Sequence, residues 1–227
     1  MGIILECITV TSTAILALMA IYGVFAAIKQ IKVLVKQTQD DHERSRREKA
    51  VDLLFLWTSN LDEYSSRTRK FAENLSEENL KSIYNEESFS FLKKYKEKYE
   101  SCFPKNLQNE YLGNEKGNEN NEKSSVKTDE EKEIQVDTRG SAYIRWQLIK
   151  YLNLLESILS AWAYKIADKD LIEDQFSYLF KTEGSSKALK KFREIAGGIS
   201  SYPSIELFER EMQKKEEKKL KEKYKLG

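Results

Sequence analysis

Histidine occurs once in the 227 residues, at position 42, and cysteine twice, at positions 7 and 102. Zinc and related metal sites need several such ligands at fixed spacing, so no metal and no cofactor is expected. A Ser-His or Cys-His catalytic pair would have to use His42, which lies in a polar stretch soon after an apolar run. Cys7 and Cys102 sit in parts of opposite character and offer no disulfide framework. Proline occurs twice and glycine nine times. So few breakers, beside abundant Glu, Lys and Leu, argue for long helices. An excess of one charge is missing too: 38 basic against 37 acidic residues leave a net charge of +1. Without a basic face, no nucleic-acid partner is expected. No glycine-rich phosphate loop occurs; Ser185, Ser186 and Lys187 in EGSSKALKKF lack that spacing and read as a helix cap. The chain carries no signature of an enzyme.

What the chain does have is a long run without charge. From Cys7 to Ile28, 22 residues carry none. As a helix they span about 33 Å, against a hydrocarbon core of about 30 Å. No basic residue precedes the run and no small-x-small cleavage site follows it, so an uncleaved transmembrane helix is expected rather than a signal peptide. Lys29, Lys32, Lys36, Arg44, Arg46, Arg47 and Lys49 come next. Basic residues stay on the cytoplasmic side, which places the amino terminus outside and the carboxy terminus in the cytoplasm. Lys29, Lys32 and Lys36 share one helical face and are candidate contacts to lipid head groups, while Ile31, Leu34 and Val35 share another. Within the run, Thr13, Ala17, Ala20, Val24 and Ala27 lie along one face, and Gly23-x-x-x-Ala27 is a small-residue pair of the kind that lets helices approach in lipid.

The pattern divides the chain into residues 1–6 as a short extracytoplasmic end, 7–28 as the membrane helix and 29–49 as a basic helical stalk. Residues 50–104 read as a first helical half, 105–139 as a disordered insertion, 140–212 as a second half and 213–227 as a charged tail. In the first half, one apolar stripe runs from Ala50 through Leu54, Trp57, Leu61 and Tyr64 to Phe71. Ser76 reads as the cap of a second helix that continues through Phe91, Tyr95 and Cys102 until Pro104. The insertion is rich in Asn, Glu, Lys, Gly and Ser, and cannot bury enough surface to offset its ordering entropy.

Order is expected to resume at Ser141, with a central helix whose stripe is Ile144, Leu148, Tyr151, Leu155, Ile158, Trp162 and Ile166. Asp170 to Glu173 has capping-box spacing, and Gly197-Gly198 and Tyr202-Pro203-Ser204 punctuate the last helices. No alternating β pattern of four or more residues stands out. The fold class is therefore all-α: one transmembrane helix, a helical stalk and a cytoplasmic helical bundle with a disordered insertion. On the central helix, Asn153, Glu156 and Ser160 share a face beside the apolar stripe. They read as a buried polar pin, with Arg145 or a base from another helix as the partner a buried carboxylate needs.

At YLNLLESI, followed by ADKDLIEDQFSYLF, the sequence resembles a bacterial family of unknown function. The matching features are Leu152-Asn153, Glu156, Asp168 and Phe176. The resemblance implies an amino-terminal membrane helix, a helical cytoplasmic region and a bacterial inner membrane as the location; it implies no reaction and no cofactor. The expected function is that of a single-pass membrane-anchored binding protein, with membrane lipid and a protein partner or further copies of itself as the partners. A membrane effector in defence against phage is one form of it, and a tethered adaptor recruiting a cytosolic partner is the alternative.

Overall fold

A computed structural model describes residues 2–111, 133–180 and 188–224, apart from the side chains of 3–15, 17 and 109. The chain divides into two compact units, Met1–Glu48 and Lys49–Gly227. One helix, α1 (Gly2–Asn60), supplies all described structure of the first unit and the opening of the second. No proline interrupts it, and its one internal glycine, Gly23, meets nothing within 4 Å.

The second unit is mostly helical and forms around α6 (Thr138–Ala163), whose Ile144, Leu148, Tyr151, Leu152, Leu155, Ile158, Leu159 and Trp162 are buried. The stripe read from the sequence is this core face up to Trp162. Ile166 falls outside it and is exposed, because the helix ends at Ala163 and Lys165 takes a left-handed φ of 59°. Packed against α6 are α2 (Glu63–Ala72), α3 (Glu77–Tyr84) and α9 (Pro203–Tyr224). The short helices α4 (Lys96–Glu100) and α5 (Lys105–Tyr111) sit beside an aromatic cluster of Phe71, Phe91, Tyr99, Phe103, Tyr111 and Tyr143. Helix α7 (Lys169–Phe176) follows α6, and α8 (Lys190–Ile195) packs on α3.

Several expectations are corrected. The stripe from Ala50 to Phe71 is two helices, because Asp62 caps α2 by accepting the Ser65 N–H at 2.7 Å. The helix expected from Ser76 to Pro104 stops at Tyr84: Glu86 turns at φ 59°, and Phe89–Leu92 is a strand, β1. Its antiparallel partner is β2 (Glu133–Val136), with Phe89 opposite Val136 and Leu92 opposite Glu133. The fold is thus not purely α. Phe89, Phe91, Ile134 and Val136 alternate with less buried neighbours and turn their side chains into the core. Both ends of the expected insertion 105–139 are ordered, as α5 and as β2 leading into the Asp137 cap of α6, so order resumes before Ser141. Residues 112–132 of that insertion, and the cap expected at Ser185, Ser186 and Lys187, lie outside the described residues. Asp168, not Asp170, caps α7, accepting the N–H groups of Asp170 at 3.0 Å and Leu171 at 3.1 Å.

Candidate functional site

Two places concentrate the features that sequence reasoning singles out: the surface of α1, and the junction of α6 with α9. On α1, the helix over Leu18–Asn60 is long and apolar enough to cross a membrane by length and composition. None of its most apolar window is buried: Leu18, Met19, Ile21, Tyr22, Val24 and Phe25 are exposed, and the small residues Ala20, Gly23 and Ala27 expose the rest of the circumference. A helix that is apolar all round belongs in a protein core or in lipid. Ala20, Gly23 and Ala27 of the small-residue face are exposed; the side chains of Thr13 and Ala17 lie outside the described set. Lys29, Lys32 and Lys36 follow on the same helix and are exposed.

At the second place the polar row of α6 separates. Asn153 is exposed, and its backbone carbonyl accepts the Ser157 hydroxyl at 2.8 Å. Glu156 and Ser160 come together with the start of α9. The Glu156 carboxylate accepts the backbone N–H of Ser204 at 2.9 Å through Oε1 and that of Ile205 at 2.9 Å through Oε2. Ser160 Oγ lies 2.8 Å from Ser204 Oγ and 3.5 Å from Glu156 Oε1. The first N–H groups of a helix have no partner within it, and they sit at the positive end of its dipole. Glu156 satisfies two of them with a negative charge. The expected basic partner is replaced by backbone amides, because Arg145 reaches instead to Glu86 at 2.9 Å and lies over the Tyr84 ring.

The interior holds two ionic groups that sequence reasoning did not find. Arg193 is fully buried and donates to Glu206 and to Glu209, each at 2.6 Å. Glu209 also accepts from Lys190 and from Gln213, each at 3.3 Å. The only signal was Arg193 inside the apolar stretch of α8, with two acids three residues apart on α9. Arg69 pairs with Glu73 at 2.7 Å, both nearly buried, and burial raises the Glu73 carboxyl above its usual range. Glu73 borders a cavity of about 110 Å³ also lined by Leu80, Leu189, Lys190 and Phe192. Burial likewise pushes the Cys102 thiol up to about 12, so at neutral pH it is an inert core group. Among the described residues no cluster of His, Cys, Asp and Glu could hold a metal ion, and His42 is exposed.

No family model, no curated protein and no solved structure matches this chain. The resemblance at YLNLLESI and ADKDLIEDQFSYLF therefore assigns neither a family nor a role to Leu152, Asn153, Glu156, Asp168 or Phe176. In this molecule Leu152 and Phe176 are core, and Glu156 and Asp168 cap helices.

Proposed function

We propose that the chain is a single-pass membrane protein of the bacterial inner membrane. Its amino terminus lies outside, and its helical second unit acts in the cytoplasm by binding. The observation that carries this reading is the apolar, unburied window of α1 followed by Lys29, Lys32 and Lys36. Leaving Leu18, Met19, Ile21, Tyr22, Val24 and Phe25 in water would be costly on every side of the helix, and lipid removes that cost. The lysines then fall where anionic head groups lie, and their side of the membrane sets the orientation. Binding rather than chemistry is favoured because the interior polar side chains are used in packing: Glu156 caps α9, and Arg193, Glu206 and Glu209 join α8 to α9.

Fractionation of bacteria expressing the full chain tests the anchor. The protein is expected to stay in the membrane pellet through an alkaline wash and to leave it only with detergent. A carboxy-terminal tag is expected to resist protease added to spheroplasts. Recovery in the soluble fraction overturns the anchor, and cleavage of the tag overturns the orientation. Membrane potential then separates the two forms of the function. Depolarisation by the full chain, but not by a chain starting at Gln37, identifies an effector that disturbs the membrane, as a defence against phage would require. An unchanged potential, with the full chain in the membrane, identifies a tethered adaptor.

A further inference from the structure

The apolar surface of α1 does not end where the charge-free run ends. Ile31 is 59% exposed and Val35 52%, beyond Lys29 and toward the polar side. Lipid head groups do not shelter such side chains as a hydrocarbon core does. Their spacing says what does. Counting Ile28 as position a of a seven-residue repeat, the a positions are Ile21, Ile28, Val35 and His42, and the d positions are Val24, Ile31, Thr38 and Ser45. From Ile21 to Thr38 every a and d residue is β-branched. A repeat of this period keeps one seam facing a neighbouring helix, whereas a lone helix in lipid has no reason to keep it.

Three further observations agree on the neighbour. Lys29 and Lys36 fall at b, away from the seam, so an associated helix leaves both free to face lipid, while Lys32, at e, flanks the seam opposite the small Ala27 of the neighbouring copy. Ile31, Leu34, Val35 and Thr38, at d, g, a and d, line a shallow groove on the helix. Those four positions form the hole that receives an a-position knob from a parallel partner helix in register. Finally, Asp41 stands at g and Arg46 at the next e. In a parallel pair those positions meet across the seam, and here their charges are opposite. Small Ala20 and Ala27 fall at g, and Ala17 at d, so the seam is continuous with the small-residue face of the run.

We infer that α1 self-associates with further copies of this chain as a parallel, in-register coiled coil over residues 21–46, seamed by Ile21, Val24, Ile28, Ile31, Val35 and Thr38 and locked by Asp41 against Arg46 of the neighbouring copy. The parallel direction rests on the membrane reading above, because copies inserted the same way run the same way.

Cysteine crosslinking in membranes tests it, on the full chain carrying Cys7→Ser and Cys102→Ala. Single cysteines replace Ile28, Lys29, Ile31, Val33, Val35 and Lys36 in turn, and a mild oxidant is added. Strong disulfide dimers are expected at 28, 31 and 35, with weak ones at 29, 33 and 36. A flat profile, no dimers, or a maximum at 29, 33 and 36 overturns the seam. The register is tested on the Val35→Cys background: Asp41→Arg is expected to lower the dimer yield severalfold, and adding Arg46→Asp to restore it. No restoration overturns the parallel register. Fractionation of the same samples keeps the two readings apart. A seam profile from soluble protein would sink the anchor and keep the association, while a flat profile from membrane-bound protein would do the reverse.

Discussion

Glu156, about two turns before the end of α6, accepts the backbone N–H of Ser204 at 2.9 Å and thereby holds the first turn of α9. The contact joins residues 48 apart and couples a side chain on the central helix to the dipole of another. Glu156→Gln keeps the shape but replaces one accepting oxygen with an amide that faces an N–H. It is expected to cost about 2 kcal/mol, combining a charged cap with a lost bond. Ser160→Ala, which removes the contact to Ser204 and the longer one to Glu156, is expected to cost about 1 kcal/mol. Urea midpoints of the detergent-solubilised chain check both; equal midpoints for parent and Glu156→Gln would show that the cap is idle.

Gly140 is in the first turn of α6, where three elements crowd. A Cβ there would come within 2.7 Å of the Tyr99 hydroxyl oxygen and 2.7 Å of Val136 Cγ1. Neither neighbour can retreat easily, since Tyr99 and Val136 are fully buried. Helix propensity alone would make alanine the better residue by about 1 kcal/mol. The overlap is expected to outweigh it, so Gly140→Ala should lose about 1–3 kcal/mol. A gain in thermal midpoint would show that β2 and α4 yield.

How much of this was legible depended on the range of the interaction. The α6 stripe could be read because Ile144, Leu148, Tyr151 and Leu155 repeat locally at the helical period. The break at Asp62 and the cap at Asp168 each carried a plausible cap residue, yet an unbroken apolar pattern and a competing Asp170 hid them. The sheet was hidden for another reason. FSFL and EIQV each alternate over only four residues, 40 or more apart, and each makes sense only once the other is beside it. At the candidate site, the row of Glu156 and Ser160 was visible, but its partner was not, because backbone amides leave no trace in residue types. Arg193 was invisible for a similar reason: its acids are on a different helix.

Two carboxyls should pull the acid stability of the second unit in opposite directions. At Asp62, burial pushes the carboxyl up, but bonds from Lys150 and Ser65 outweigh it and hold it below its ordinary value of 3.8. Its stabilisation is present above 3.8 and is lost as pH falls from there through the lower folded value. At Glu73, burial outweighs the Arg69 guanidinium and raises the carboxyl above 4.5. Its contribution is full below 4.5 and is lost as pH rises through the raised folded value. Asp62→Asn should therefore flatten the fall in urea midpoint on the acid side. Glu73→Gln should gain on the parent as the pH rises past 4.5. Parallel pH profiles for parent and variant would contradict the assignment in either case.

Single and combined changes in the Arg193 cluster should differ in size. Arg193 has no exposed surface, and Glu209 is 3% exposed, so neither charge can turn to water when the other is removed. Breaking a buried pair from one side costs about 3–5 kcal/mol, most of it from the stranded partner. Arg193→Met alone is expected to lose about 3 kcal/mol, the low end of that range, because Glu209 keeps Lys190 at 3.3 Å. Arg193→Met with Glu206→Leu and Glu209→Met removes the stranded charges and puts apolar volume in their place. It should recover most of the loss, since a well-packed apolar replacement of a buried pair is often neutral. Lys190 does not prevent the recovery, as its side chain is 40% exposed and its ammonium can turn to solvent when Glu209 is gone. If the triple variant were no more stable than Arg193→Met, the geometry of the ion pairs, and not their charge balance, would be what joins α8 to α9.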